Sequence, residues 1–233
     1  MIADNLERVR ARIAAACRAA GRDVQSVTLL VVSKRFGPDA VRAAASADAR
    51  CFGENHVQEA IEKMNALADL SGLVEWHLIG PLQSNKTRVV AERFDWVQSV
   101  DRLKIAERLS AQRPVSLAPL SVCLQVNISG ETTKSGVAPA DVEALAVEVA
   151  RLPRLRLRGL MSIPAPVEGH DAQRAPHRAL RRLHESLVRH GLALDTLSMG
   201  MSDDLEAAIA EGSTMVRIGT AVFGARAAAG TAG

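Results

Sequence analysis

Lys34 closes the apolar run Leu29-Leu30-Val31-Val32-Ser33. A lysine at a strand end is often only the first solvated residue. At the mouth of a barrel, desolvation and neighbouring cations ease loss of its proton. A neutral amine can condense with an aldehyde. Far along the chain, Ser198-Met199-Gly200-Met201-Ser202 and Arg217-Ile218-Gly219-Thr220 bring hydroxyls, glycines and one arginine to the ends of two more apolar runs. Glycines let backbone N–H groups approach an anion, and (β/α)8 barrels often build a phosphate site from the loops after their last two strands. Taken singly, these serines and glycines read as turns; taken with their position, they read as a phosphate cradle. A lysine, a phosphate cradle and an arginine together suit pyridoxal 5'-phosphate, which needs an amine for its aldehyde and a partner for its ring nitrogen. A Schiff-base aldolase acting on phosphorylated sugars is a competing reading. It needs a general acid/base beside the lysine, for which Glu54 and Asp101 are the strand-end candidates.

The elements that position these residues follow from hydrophobic periodicity. Apolar strand candidates lie at 27–33, 50–53, 74–79, 96–99, 120–127, 155–161, 194–198 and 214–218. Helical stretches fall between them, at 38–47, 57–70, 85–93, 102–112, 139–151, 175–190 and 203–210. Short strands that are apolar almost throughout suit a parallel sheet covered on both faces. Eight such units joined by helices predict an α/β fold, a single closed (β/α)8 TIM-type barrel spanning residues 1–224. An open doubly wound sheet is the alternative, but no G-x-G-x-x-G follows the first strand. Before the first strand, Ile2, Leu6, Val9, Ile13, Cys17 and Ala20 recur at helical spacing, and Gly21 stops the run. This extra helix is expected to pack where a full helix after the eighth strand is missing. Residues 225–233 are expected to form a frayed tail, with no second domain beyond the barrel.

Composition bounds the partners. Of 233 residues, 48% are hydrophobic, enough for a core without staples. Cys17, Cys51 and Cys123 are scattered and odd in number, which suggests neither a disulfide framework nor a zinc knuckle, and the reading is cytoplasmic. The six histidines show no metal-ligand spacing, so no metal is expected. No segment reads as a signal peptide or a membrane span. Net charge is +3, carried almost wholly by arginine; the lysines are Lys34, Lys63, Lys86, Lys104 and Lys134. Aromatic residues are 3% and tyrosine is absent, against a nucleic-acid footprint.

His77, beside Trp76, reads as a satisfied core residue, and His56 as exposed. Asp203 and Asp204 read as helix caps. Met161, Met199 and Met201 are expected to fill space under a cofactor. Glu54 and Asp101 are expected to bond rim backbone or pair with arginine. Lys86 and Lys134 read as solvated loop charge, or as a cationic rim that draws in anions.

The motifs extend nearly end to end. Val31-Val32-Ser33-Lys34, Phe52-Gly53-Glu54-Asn55, Trp76-His77-Leu78-Ile79-Gly80-Pro81-Leu82-Gln83-Ser84-Asn85-Lys86 and Gln125-Val126-Asn127-Ile128-Ser129 are followed by Leu197 to Asp204 and by Gly212 to Thr220. In that order they resemble the pyridoxal phosphate homeostasis proteins of YggS/PROSC type. The resemblance implies a fold like the N-terminal barrel of alanine racemase, with the cofactor as a Schiff base on Lys34. Arg217 would face the pyridine nitrogen, Ser198 and the backbone of Gly219 and Thr220 would hold the phosphate, and Asn55 would lie near the ring. It implies a cytoplasmic protein, expected as a monomer, that buffers or supplies the cofactor and has no efficient catalysis of its own. Other B6 vitamers and apo PLP enzymes would be its partners. A PLP-dependent racemase or related enzyme is the alternative. The chain departs from the family at His56, where tyrosine is usual, and in the stretch 175–187, which is unusually rich in Arg and His and lacks the usual Phe.

Overall fold

The apolar runs pair in parallel and close on themselves. In a computed structural model that describes residues 1–131 and 135–224, β1 (Thr28–Val32), β2 (Cys51–Glu54), β3 (Glu75–Leu78), β4 (Trp96–Val100), β5 (Leu120–Gln125), β6 (Leu155–Met161), β7 (Thr196–Ser198) and β8 (Met215–Ile218) form a closed barrel in sequence order. Closure is sealed where β8 pairs β1, Val31 opposite Ile218. Each strand stands within two or three residues of its predicted place; β5 and β7 are shorter, because the predicted strand ends turn into loops. The tail at 225–233 and Lys134 lie outside the described residues.

Helices cover the outside: α1 (Ile2–Ala19), α2 (Pro38–Ser46), α3 (Val57–Ala66), α4 (Thr87–Arg93), α5 (Leu103–Gln112), α6 (Val142–Ala150), α7 (His170–Arg189), α8 (Leu205–Ala210) and α9 (Thr220–Phe223). The main core lies between this shell and the strands, where Val31, Phe52, Leu78, Val97, Leu124 and Val216 are buried. Alternate residues point the other way: Leu30, Val32, Ile79 and Met215 form one apolar cluster and Trp96, Cys123 and Met161 another. Met161 thus faces the barrel interior. Met199 joins the outer core with Leu197, because the two flank Ser198, whose hydroxyl faces inward.

α1 fills the gap left by the short α9. Its face Leu6, Val9, Ile13, Ala16 and Cys17 is buried, and burial of each larger side chain contributes about 1.5–3 kcal/mol. The helix lies against α8, α9 and α2. Arg12 grips Glu206 of α8 with Nε and Nη2 at 2.5 and 2.7 Å, and Asn5 donates to the Val222 carbonyl at 2.7 Å. The chain predicts α7 from 175, yet the helix begins at His170 and carries Pro176 inside it. Proline favours a helix start, but here the turn before it is fixed by Gln173, which reaches the Asp203 carbonyl at 3.2 Å. Among the described residues no helix is long and apolar enough to cross a membrane.

Candidate functional site

The C-terminal ends of four consecutive strands, β7, β8, β1 and β2, carry all six expected site residues. Ser198 ends β7. Arg217 lies in β8, and Gly219 and Thr220 follow that strand. Lys34 stands two residues beyond β1, and Asn55 one beyond β2. Backbone bonds stitch these ends together. Arg217 N–H donates to Gly200 O at 3.0 Å, and Ser33 N–H donates to Gly53 O at 3.0 Å. Two glycines are required by close approach. A Cβ on Gly80 would stand 2.2 Å from the Asn55 carbonyl oxygen, and Gly200 sits at φ +95 with no room against Ala208. Asn55 and Gly80, with Pro81, Gln125 and Asn127, line a cavity of about 220 Å³ at the mouth.

Lys34 is half-buried. Beneath it lies a network that sequence reading missed. Lys63, on α3, turns inward and is 4% exposed. Its Nζ donates at 2.7 Å to the Ser33 carbonyl, to Glu54 Oε1 and to Glu59 Oε1. Ser33 Oγ donates to Glu54 Oε1 at 2.6 Å. Burial pushes the Glu54 carboxyl above its usual range, against the pull of Lys63 and Ser33. The Arg35 N–H meets Glu59, and Arg35 itself has φ +65. The backbone on both sides of Lys34 is thus pinned. Glu54 pairs with a lysine and a serine, not with backbone or arginine as expected, because a lysine's long stem lets its charge reach inward. Asp101 does pair with arginine, Arg102, at 2.7 Å.

Arg217 is 4% exposed. Its Nη1 donates to Ser198 Oγ at 2.8 Å and its Nη2 to the Ser162 carbonyl at 2.6 Å. Among the described residues no carboxylate lies within salt-bridge distance of it. Burial lowers the guanidinium to about 10, so it keeps its charge near neutrality. Ser198 in turn donates to Gln98 Oε1 at 2.6 Å, and Gln98 Nε2 meets His77 Nδ1 at 2.9 Å. β4 and β7 are not neighbours, so this chain of bonds crosses the barrel interior. His77 is fully buried, as expected, but is not fully satisfied: its Nε2 has no hydrogen-bond partner.

Around the turn after β7, Asp204 does not bond the first turn of α8. Its Oδ1 accepts from Met201 N–H at 2.6 Å and its Oδ2 meets His177 Nε2 at 2.9 Å. Asp204 therefore pins the loop, which corrects its reading as a cap; Asp203 is exposed. Met201 is half-buried beside Pro164 and Pro176, outside the barrel interior. Lys86 and His56 are exposed, and Gly219 is half-buried and Thr220 exposed at the mouth. The arginine-rich stretch of α7 has a local cause. Arg174 Nε and Arg178 Nη2 reach Glu211 Oε1 at 2.7 and 3.0 Å, and Arg181 Nη2 reaches its Oε2 at 3.4 Å.

The sequence profile of the alanine racemase N-terminal domain matches residues 5–227. The pyridoxal phosphate homeostasis protein of Pseudomonas aeruginosa is 62% identical over 225 residues, 97% of this chain and 96% of that one. The protein of the same name from Escherichia coli K12 is 54% identical over 227 residues, 97% of each chain. PipY of Synechococcus elongatus PCC7942, solved with PLP bound, superposes with a TM-score of 0.84 at 37% identity, over 96% of this chain and 100% of that one. Alanine racemase from Corynebacterium glutamicum, at 20% identity and a TM-score of 0.67 over 98% of this chain and 62% of that one, shares the fold. The chain therefore belongs to the pyridoxal phosphate homeostasis proteins, a family built on the alanine racemase N-terminal barrel.

Proposed function

We infer that the chain binds pyridoxal 5'-phosphate through a Schiff base on Lys34 and serves intracellular PLP homeostasis, holding the cofactor for supply or buffering without efficient turnover of its own. The observation that carries this is a half-buried lysine just beyond β1 and a buried arginine in β8, at the same end of two neighbouring strands. The residues fit the group. A buried cation without a carboxylate beside it suits a ring nitrogen lone pair. When bound, the cofactor supplies an aldehyde for the amine and an electron-withdrawing ring. Lys34 presents its amine from a backbone pinned by Lys63 and Glu59. Arg217 would face the ring nitrogen and, staying charged, would disfavour a proton on it. Gly219 and Thr220 offer backbone N–H groups to the phosphate. Ser198 joins them by turning its hydroxyl from Gln98, while its oxygen still accepts from Arg217. Asn55, one residue beyond β2, would lie near the ring. In this reading the protein is a cytoplasmic monomer that exchanges PLP or other B6 vitamers with apo PLP enzymes.

Borohydride reduction of the PLP-loaded protein, followed by peptide mass spectrometry, tests the link. The adduct is expected on Lys34, and Lys34→Ala should lose both the adduct and the visible absorption band. An adduct carried mainly by Lys63, Lys86, Lys104 or Lys134 overturns the assignment.

A further inference from the structure

At the barrel end away from Lys34, the first residues of β2 and β3 gather three donors of different chemistry. Cys51 and Glu75 are register partners, and His77 lies two residues along β3 on the same face. Cys51 Sγ is 3.7 Å from Glu75 Oε2, and His77 Nε2 is 3.6 Å from the same oxygen. All three donor atoms lie within 4.8 Å of one another. A tetrahedral zinc ion with sulfur, nitrogen and oxygen ligands at their usual bond lengths sets its ligand atoms roughly 3.3–3.6 Å apart. The two spacings to Glu75 exceed those edges by little, and the third, between Cys51 Sγ and His77 Nε2, is within 4.8 Å.

The second observation is independent of the spacing. His77 is fully buried, yet its Nε2 has no hydrogen-bond partner. An orphaned buried nitrogen calls for an ion, a water or a strained network, and this one faces the thiol and the carboxylate. The imidazole is also held as a ligand would be. Its ring stacks on Trp96 at 5.1 Å and 11°, and its Nδ1 is bonded to the Gln98 amide. Such outer partners orient metal ligands. Glu75 is 56% exposed and Cys51 half-buried, so an ion can enter from solvent and keep a water.

We propose that Cys51, Glu75 and His77 form a binding site for a zinc-class divalent cation, completed by one water. Thiolate and carboxylate together balance the two positive charges. Binding forms a metal–sulfur bond and releases the Sγ proton to solvent; imidazole and carboxylate give lone pairs, and nothing is oxidised or reduced. Burial and Glu75 push the free thiol up to about 12, so the ion displaces a proton rather than meeting a ready thiolate. Nε2 must be bare, which moves the ring proton to Nδ1. The Gln98 amide would then turn to present its oxygen to His77 and its NH2 to Ser198, giving up its 3.1 Å contact with Met215 Sδ. Asp95 adds negative charge near the site, and Arg158, 4.6 Å from the Trp96 ring, adds positive charge.

Cobalt(II) titration of tag-free, full-length protein stripped by a chelator tests the site. One Co²⁺ per chain is expected, with a thiolate-to-metal charge-transfer band and a tetrahedral ligand-field spectrum, both erased by Zn²⁺. Zinc should also shield Cys51 from alkylation. Cys51→Ala should abolish the charge-transfer band, and Glu75→Gln should weaken binding by roughly tenfold or more, with circular dichroism unchanged. If Cys51→Ala disturbs the fold, Cys51→Ser preserves the volume and must still lose the sulfur band. Absence of that band in the native chain, or its survival in Cys51→Ala, overturns the proposal.

Discussion

The ammonium of Lys63 lies 2.7 Å from Glu54 Oε1, with the two side chains 5% and 0% exposed. The same ammonium holds the carbonyl of Ser33, so a helix residue fixes the strand end that bears Lys34. A buried ion pair stabilises little against an apolar substitute, but removing one partner leaves the other charge stranded.

Lys63→Met should therefore lower unfolding free energy by about 3–5 kcal/mol, read from urea denaturation. The double variant Lys63→Met/Glu54→Gln should recover a large part of that loss, since the stranded carboxylate is gone. PLP affinity should fall in Lys63→Met even where the protein is folded, because the backbone before Lys34 loses its tether. Strictly additive effects of the two single changes would show that the pair does not act as a unit.

Glu211 is a second buried charge, 1% exposed and faced by Arg174, Arg178 and Arg181. Burial pushes its carboxyl up, but the arginines outweigh that and hold it below its usual 4.5. A depressed folded value contributes stability that is present above pH 4.5 and lost as pH falls towards the folded value. Glu211→Gln should cost about 1–3 kcal/mol at pH 7. It should also flatten the acid limb of the stability curve below pH 4.5, where the native chain loses stability. An unchanged acid limb would place the proton uptake elsewhere.

These buried pairs mark where the sequence stops being legible. The barrel was readable because a parallel strand buried on both faces leaves an apolar run, and eight such runs alternate with helices. The mouth was readable because the fold puts strand ends together, so Lys34 and Arg217 come to the same end of neighbouring strands without any local signal linking them. Lys63 was not, because its neighbours in α3 look like a solvated face and only the tertiary fold shows that it turns inward. The chain His77–Gln98–Ser198–Arg217 joins β3, β4, β7 and β8, which no spacing in sequence reports. Glu75 and His77 do carry a signal, two donors at strand period, but their third member sits on another strand. The richness of α7 in Arg and His was visible, and its cause was not: Glu211 and Asp204 lie beyond the next strand.

His177 and Asp204 fix Met201 N–H in the loop after β7, the strand that ends at Ser198. Charge-assisted hydrogen bonds contribute roughly 1.5–3 kcal/mol each, so pyridoxal, lacking phosphate, should bind orders of magnitude more weakly than PLP. His177→Ala should weaken PLP binding while leaving pyridoxal binding nearly unchanged, measured by spectral titration of both vitamers. Equal losses for the two vitamers would mean that His177 acts on the fold alone.

The chain should hold its cofactor without turning amino acids over. Racemisation needs a proton removed on one face and another returned on the other, and in enzymes of the alanine racemase type one of the two bases is a tyrosine. This sequence has none. Arg217, at about 10, stays charged at neutral pH. A cation there disfavours a second one on the ring nitrogen, and an unprotonated ring withdraws electrons less strongly from a substrate carbon. Both the second base and the strongest electron sink are then missing from the proposed site. The PLP-loaded protein, incubated with L-alanine, L-serine and L-lysine in deuterated buffer, should show α-deuterium incorporation far below roughly 1 per second, an ordinary enzyme rate. The same preparation should transfer its cofactor to an apo-enzyme or withhold it. Arg217→Glu, which can share a proton with the ring nitrogen, should raise exchange while leaving Lys34 loaded. Enzyme-like turnover by the unaltered chain would sink the carrier reading, and so would failure either to deliver or to sequester PLP.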